Sequence, residues 1–276
     1  MRPRGNGESP RLLVVTNNRR RVFQRSIISG AEEVAQARAY RVEVLEVPRP
    51  SDSAAVADRL RGENLLVMLI ADVLPDETIA SLHAGGIPTT LVSHGVAGLE
   101  VPSIMHDNRH GLELLAAEVF DRCGRRRPLY VGGSPRQQDS VEREAAFRRQ
   151  LMRRGLEVDE TRFLSGEFEP GQAAVAVGEF LAGGGELDSL VAADYLMAIA
   201  CLEELRGRGL EVPGQVVVAG FGDGIEAQAA GLTTVAADVV ELGRRAARQL
   251  LGQAEGLEIR GLTLLSTTLI RRASTA

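Results

Sequence analysis

Short β-type runs alternate with amphipathic helical stretches along almost the whole chain, and this rhythm restricts the fold more than any other feature. Strand-like runs fall at 11–16, 40–47, 65–71, 88–93, 129–132, 187–193, 216–221 and 232–236. Helical periodicity fills 23–39, 53–61, 76–84, 109–123, 140–154, 171–182, 196–208 and 241–251. Leu12-Leu13-Val14-Val15, residues 65–70 and Val216-Val217-Val218-Ala219 are apolar without alternation. A strand apolar on both sides is buried on both faces, the condition inside a parallel sheet covered by helices. The repeat of strand and helix therefore predicts an α/β protein. Eight such units would suit a closed barrel, but a long gap separates the runs ending at 93 and starting at 129. Two doubly wound sheets accommodate that spacing better. Gly85-Gly86, Gly155 and Gly209 follow three of the helical stretches, where a left-handed residue ends the helix.

Composition narrows the chemistry. With 276 residues, 44% hydrophobic, the chain has enough apolar side chains for a real core, and two cysteines make no disulfide scaffold. All 32 basic side chains are arginine. Without lysine there is no P-loop phosphate transfer, no Schiff base and no pyridoxal phosphate chemistry. A net charge of −5 exerts no overall pull on phosphate. The start MRPRGNGESP has no apolar core of a secretory signal, and residues 65–71 fall far short of the ~20 that span a bilayer. The expectation is a cytoplasmic protein, off the membrane, with residues 1–10 as a flexible lead-in.

The motifs that invite chemistry fail on inspection. Gly220-Phe221-Gly222-Asp223-Gly224 follows an apolar strand, yet Ile225 stands where a dinucleotide fingerprint needs its third glycine. His106 and His110 are four apart but have no further ligand nearby, so capping or solvated surface is the reading and no metal is expected. Gly132-Gly133-Ser134-Pro135 is a strand-end loop rather than a nucleophile elbow. Cys123 and Cys201 read as structural thiols, and Arg19–Arg21 and Arg125–Arg127 as solvated loop charge. No catalytic grouping and no cofactor is expected.

Several segments together do carry a resemblance. Leu12 to Thr16, Asn17-Asn18, Phe23 and Ser29-Gly30-Ala31-Glu32-Glu33 come first, followed by Gly86-Ile87-Pro88 and Val101-Pro102-Ser103. Asp107-Asn108 with Gly111, Gly124-Arg125-Arg126-Arg127, Glu142-Arg143 with Phe147, and Ala192-Ala193-Asp194-Tyr195 continue it. Val212-Pro213 to Asp223, Leu232-Thr233-Thr234-Val235 and Glu241-Leu242-Gly243-Arg244-Arg245 complete it. In this order they resemble the effector-binding core of LacI/GalR-type transcriptional regulators, from about Arg11 to Thr275. The resemblance implies the type 1 periplasmic binding protein-like architecture, two α/β lobes joined by three crossovers: 11–106 plus 237–261, and 107–236 plus 262–276. It implies a small polar, sugar-like effector between the lobes and a homodimer. It also implies operator binding only through a helix-turn-helix headpiece that is not in this chain. The positions carried over to the effector are Asn17, Phe23, Arg143, Asp194 and Phe221, where a guanidinium and a carboxylate fix hydroxyls and an aromatic face covers a ring. For Arg143 a surface ion pair with a neighbouring Glu is the competing reading, and for Phe23 ordinary packing. Gly222 replaces the family's usual ligand-binding aspartate, Ala237 a polar crossover residue, and Asp194-Tyr195 the usual Asn-Asp. A stand-alone cytosolic sensor acting through a protein partner is the alternative, and an enzyme the least favoured.

Overall fold

The computed structural model describes residues 10–48, 56, 60 and 65–276; the expected lead-in before Pro10 and most of the helix expected at 53–61 lie outside them. The described chain divides into two units, one running to His106 with Asp238–Leu265, the other Asp107–Ala237 with Ser266–Ala276.

The first unit runs β1 (Arg11–Thr16), α1 (Val22–Gln36), β2 (Arg41–Glu46), β3 (Leu65–Ile70), α2 (Asp76–Ala84), β4 (Thr89–Val92) and β5 (Ser103–His106). It is completed by α8 (Val239–Ala254) and β11 (Leu262–Leu265). Its six strands lie in the order β11-β5-β4-β3-β1-β2, all parallel. The apolar runs are continuous because both faces are covered: Leu12 and Val14 pack with α1 and α8, while Leu13 and Val15 join Ile79 and Leu82 of α2 on the other side. Pairing of Leu262 to Leu265 with Ser103 to His106 draws that strand into the first unit. The boundary expected after 261 therefore falls after Leu265, and the one expected after 236 falls after Ala237.

Helices α1 and α8 approach until backbone meets backbone. A Cβ on Gly30 would lie 2.0 Å from the Val240 carbonyl oxygen, and one on Gly243 1.9 Å from that of Ile27. Small neighbours, Ala31, Ala35, Ala246 and Ala247, are all buried alongside, and Arg244 Nε donates to Glu33 Oε2 across the pair at 2.7 Å.

The second unit contains α3 (Asn108–Ala116), β6 (Pro128–Gly132), α4 (Gln138–Arg153), β7 (Phe163–Ser165), α5 (Pro170–Ala182), β8 (Ser189–Ala192) and α6 (Tyr195–Gly207). There follow β9 (Val217–Phe221), α7 (Ile225–Ala230), β10 (Thr233–Ala236) and, after the return crossover, β12 (Thr268–Ile270). The order is β12-β10-β9-β8-β6-β7, parallel except for β12 against β10. Strands β5, β7, β11 and β12 and helix α7 are not among the expected elements. Gly86, Gly155 and Gly209 do take positive φ after their helices.

Two expectations about charge are corrected. Arg125 is part of a structural clasp, donating to the carbonyls of Pro213, Gly214 and Gln215, while Arg126 and Arg127 keep exposed side chains and give their backbone N–H groups to Asp188. His106 is no surface residue; it is 1% exposed within β5.

After α3 the helix runs on through a π-helical stretch, Ala117–Arg122, a local widening that adds one residue to the turn. Glu118 on this stretch has a fully buried carboxylate that accepts from Arg122 Nε, Arg271 Nε and Thr275 Oγ1. The tail is thereby held, and Ser274 Oγ adds a bond to the Val218 carbonyl at 2.6 Å. Burial by itself raises the Glu118 pKa, but the three hydrogen bonds outweigh it and the net shift is downward; Asp223, half-buried and bonded by Arg272 and Thr234, behaves alike. A carboxyl whose folded pKa is depressed adds stability above its unfolded pKa and loses it as pH falls through the folded value. The urea midpoint is thus expected to hold from pH 7 to about 5 and to fall below about pH 4. Glu118→Gln should flatten that slope; a slope unchanged by the substitution would refute the assignment.

Candidate functional site

In parallel sheets ligands are met at the carboxyl ends of the strands. At that end of the second unit, Arg143 projects from the buried face of α4 and is 6% exposed. Its Nε donates to Asn108 Oδ1 at 2.8 Å and its Nη1 to the Ala193 carbonyl at 2.9 Å. The guanidinium lies 3.9 Å above the Phe221 ring, at the end of β9. Its Nη2 edge is 3.5 Å from Asp139 Oδ2. Arg143 is therefore no surface ion pair with a neighbouring Glu. Two of its five N–H groups are committed to short protein bonds, and the fork is held flat by the ring beneath it.

The other residues expected in this unit take defined places. Phe221 is 2% exposed with one ring face under Arg143, so it serves as the platform for the guanidinium. Asp194, one residue beyond the Ala193 carbonyl, caps α6: its Oδ1 accepts from the N–H groups of Leu196 and Met197. Tyr195 packs across the glycines that follow Phe221. A Cβ on Gly222 would lie 3.1 Å from Tyr195 Cδ1, and one on Gly224 2.8 Å from its hydroxyl. Burial, with the nearby Glu226 and Asp194 charges, pushes the Tyr195 phenol up to about 12.

Phe168, which sequence reasoning missed, follows β7 in the same strand-end layer. It and Glu167 have φ of 55° and 53°, and its ring presses on Gly133, where a Cβ would come within 2.2 Å. Two successive left-handed non-glycine residues store strain that the surrounding packing has to hold. The signal for Phe168 was weak because β7 has only three residues.

In the first unit Asn17 follows β1 and its Oδ1 accepts from Gln24 Nε2 at 3.3 Å. Phe23, in the first turn of α1, is half-buried and packs against the core of the first unit. Three buried polar atoms nearby, Thr16 Oγ1, Gln24 Oε1 and Ser93 Oγ, have no hydrogen-bond partner among the described residues. Buried polar atoms are nearly always paired, so these three mark the carboxyl ends of β1 and β4 as places for a polar guest. Sequence reasoning missed them, since hydroxyls at strand ends carry no pattern of their own. Among the described residues no group of three or more metal-ligating side chains occurs, and no helix is long and apolar enough to cross a membrane.

Residues 117–275 match the model of the periplasmic binding protein-like domain. The chain belongs to that family. This periplasmic binding protein-like protein is 26% identical over 253 residues to the HTH-type transcriptional regulator CelR of Thermobifida fusca, covering 88% of the chain and 74% of CelR. It is 30% identical over 201 residues to AscG of Escherichia coli, covering 72% of the chain and 60% of AscG. It therefore spans between about three fifths and three quarters of the length of these two relatives. A solved CelR–cellobiose complex superimposes with a TM-score of 0.85 at 26% identity, over 96% of this chain and 84% of that one. The Lac repressor dimer bound to operator and an anti-inducer shares the fold, with a TM-score of 0.88 at 19% identity over 98% and 82%.

Proposed function

We propose that this chain is the effector-sensing part of a LacI/GalR-like bacterial transcriptional regulator. It takes a small polar, sugar-like effector and passes the bound state to a DNA-binding part of the kind its relatives' names specify. The observation that carries the reading is Arg143: a buried guanidinium held flat on Phe221, with its Nη2 edge 3.5 Å from Asp139 Oδ2. Such a fork meets vicinal hydroxyls or a carboxylate of a ligand. Asn17, Gln24, Thr16 and Ser93 supply neutral polar atoms from the first unit, and Phe168 a half-buried aromatic face from the second. CelR's complex with cellobiose supports a sugar. The chain acts in the cytoplasm, as a binding protein rather than a catalyst, in keeping with relatives that are regulators. A thermal-shift panel of cellobiose, monosaccharides, polyols and nucleosides tests it: at least one sugar-like compound should stabilise the protein. Stabilisation by none, or by nucleosides alone, would overturn the reading.

The homodimer forms, on this reading, through α5, α6 and α7. Ile225 is 78% and Val175 60% exposed, and Leu196 and Ile199 of α6 are half-buried between. Ile225→Glu should weaken self-association by about tenfold or more in sedimentation velocity. An unchanged dimer would remove this face from the interface.

A further inference from the structure

The first turn of α3 meets the Arg143 group and the unit boundaries at once. The chain enters the second unit between His106 and Asp107, and Asn108 follows directly. Asn108 is 2% exposed and makes three side-chain bonds, all to α4. Its Nδ2 donates to Asp139 Oδ1 at 2.8 Å and to Glu142 Oε2 at 2.9 Å, while its Oδ1 accepts from Arg143 Nε at 2.8 Å. His110 Nδ1 lies 3.2 Å from Thr267 Oγ1, just past the return into this unit after Leu265. A Cβ on Gly111 would lie 2.3 Å from Phe221 Cε2 and 3.1 Å from Val235 Cγ1, and Val235 stands two residues before the exit at Ala237. Residues 108–111 thus touch Arg143, the ring beneath it, and segments beside all three crossovers.

The amide of Asn108 leaves no slack in this arrangement. Flipping it would aim the oxygen at two carboxylates and the protons at a cation. An Asp would add a third carboxylate there, and an apolar residue would leave buried groups unpaired. A movement of Arg143 Nε therefore cannot be absorbed by the side chain and passes to the α3 backbone.

We propose that Asn108 is a positioning residue that ties the Arg143 guanidinium to the three crossovers, so that whatever Arg143 holds is felt where the chain enters and leaves the second unit. The regulatory meaning rests on the effector reading above; the tie itself is a property of the free protein. The test is accordingly ligand-free: hydrogen–deuterium exchange by mass spectrometry on the full chain as wild type, Arg143→Lys, Asn108→Ala and the double variant. With Asn108 present, Arg143→Lys should speed exchange about tenfold in peptides spanning 105–111, 234–239 and 264–268. In the Asn108→Ala background it should add less than about twofold, and peptides from α8 should not change in either. A purely structural role would instead raise exchange throughout the second unit. Equal acceleration in both backgrounds, or none in either, overturns the proposal. If Asn108→Ala does not melt cooperatively, Asn108→Ser takes its place under the same criterion. Failure of every sugar in the thermal-shift panel would sink the effector reading and leave this result standing.

Discussion

Gly243→Ala is expected to weaken the first unit by about 3 kcal/mol and to lower its melting midpoint by about 10 °C. The added methyl would meet the Ile27 carbonyl oxygen at 1.9 Å, its carbon at 2.8 Å and the Ala31 nitrogen at 3.0 Å. All three are backbone atoms inside α1, so no side chain can turn aside; the two helices have to separate. Separation opens the layer of Ala31, Ala35, Ala246 and Ala247 and stretches the Arg244–Glu33 pair. Overpacking of this kind, with loss of contacts on both sides, lies at the upper end of single-substitution effects. Gly30→Ala, which meets the Val240 oxygen at 2.0 Å, should cost as much. Circular dichroism melts measure the loss, and exchange protection in α1 and α8 localises it. A midpoint within experimental error of wild type would show that the contact is not as close as described.

Arg143→Ala is expected to abolish stabilisation by any ligand the panel identifies. It should also cost about 3 kcal/mol in the absence of ligand. The second effect follows from what is left behind: Asp139 loses its cation, the Asn108 oxygen and the Ala193 carbonyl lose their donors, and a face of Phe221 is uncovered. Arg143→Lys separates the two effects. It keeps the charge beside Asp139 but has no planar fork, so it should recover part of the stability and little of the ligand response. Calorimetric titration below the variants' melting range reads the affinity. A ligand that binds Arg143→Ala as tightly as wild type would remove this residue from the site.

The central strands were legible because their chemistry is simple. Leu65 to Ile70 is buried at every residue, so the run is apolar without alternation and stands out. The missed strands are short and mixed. β7 is Phe-Leu-Ser at the sheet edge, β11 alternates exposed and half-buried residues at another edge, and β5 ends on a buried histidine. Arg143 was partly readable: it lies four after Asp139 and four before Phe147, on the face of α4 that is buried. What periodicity could not show is the partner across the fold, since Asn108 is 35 residues away and Phe221 farther still. The glycine contacts between α1 and α8 were invisible for the same reason. A glycine in a helix reads as a weak point until the neighbouring backbone is in place.

The docked tail has a practical consequence for anyone who handles this protein. Cys201 is fully buried, and burial pushes its thiol up to about 12, so it is silent toward alkylating reagents. Cys123 is half-buried, its thiol also raised by burial, with Sγ 3.3 Å from Arg122 Nη2 and 3.5 Å from the Thr275 carbonyl. Its reaction with a maleimide is therefore expected to quicken when the last residues lift from Glu118, a signal that is native to the molecule and needs no engineered label.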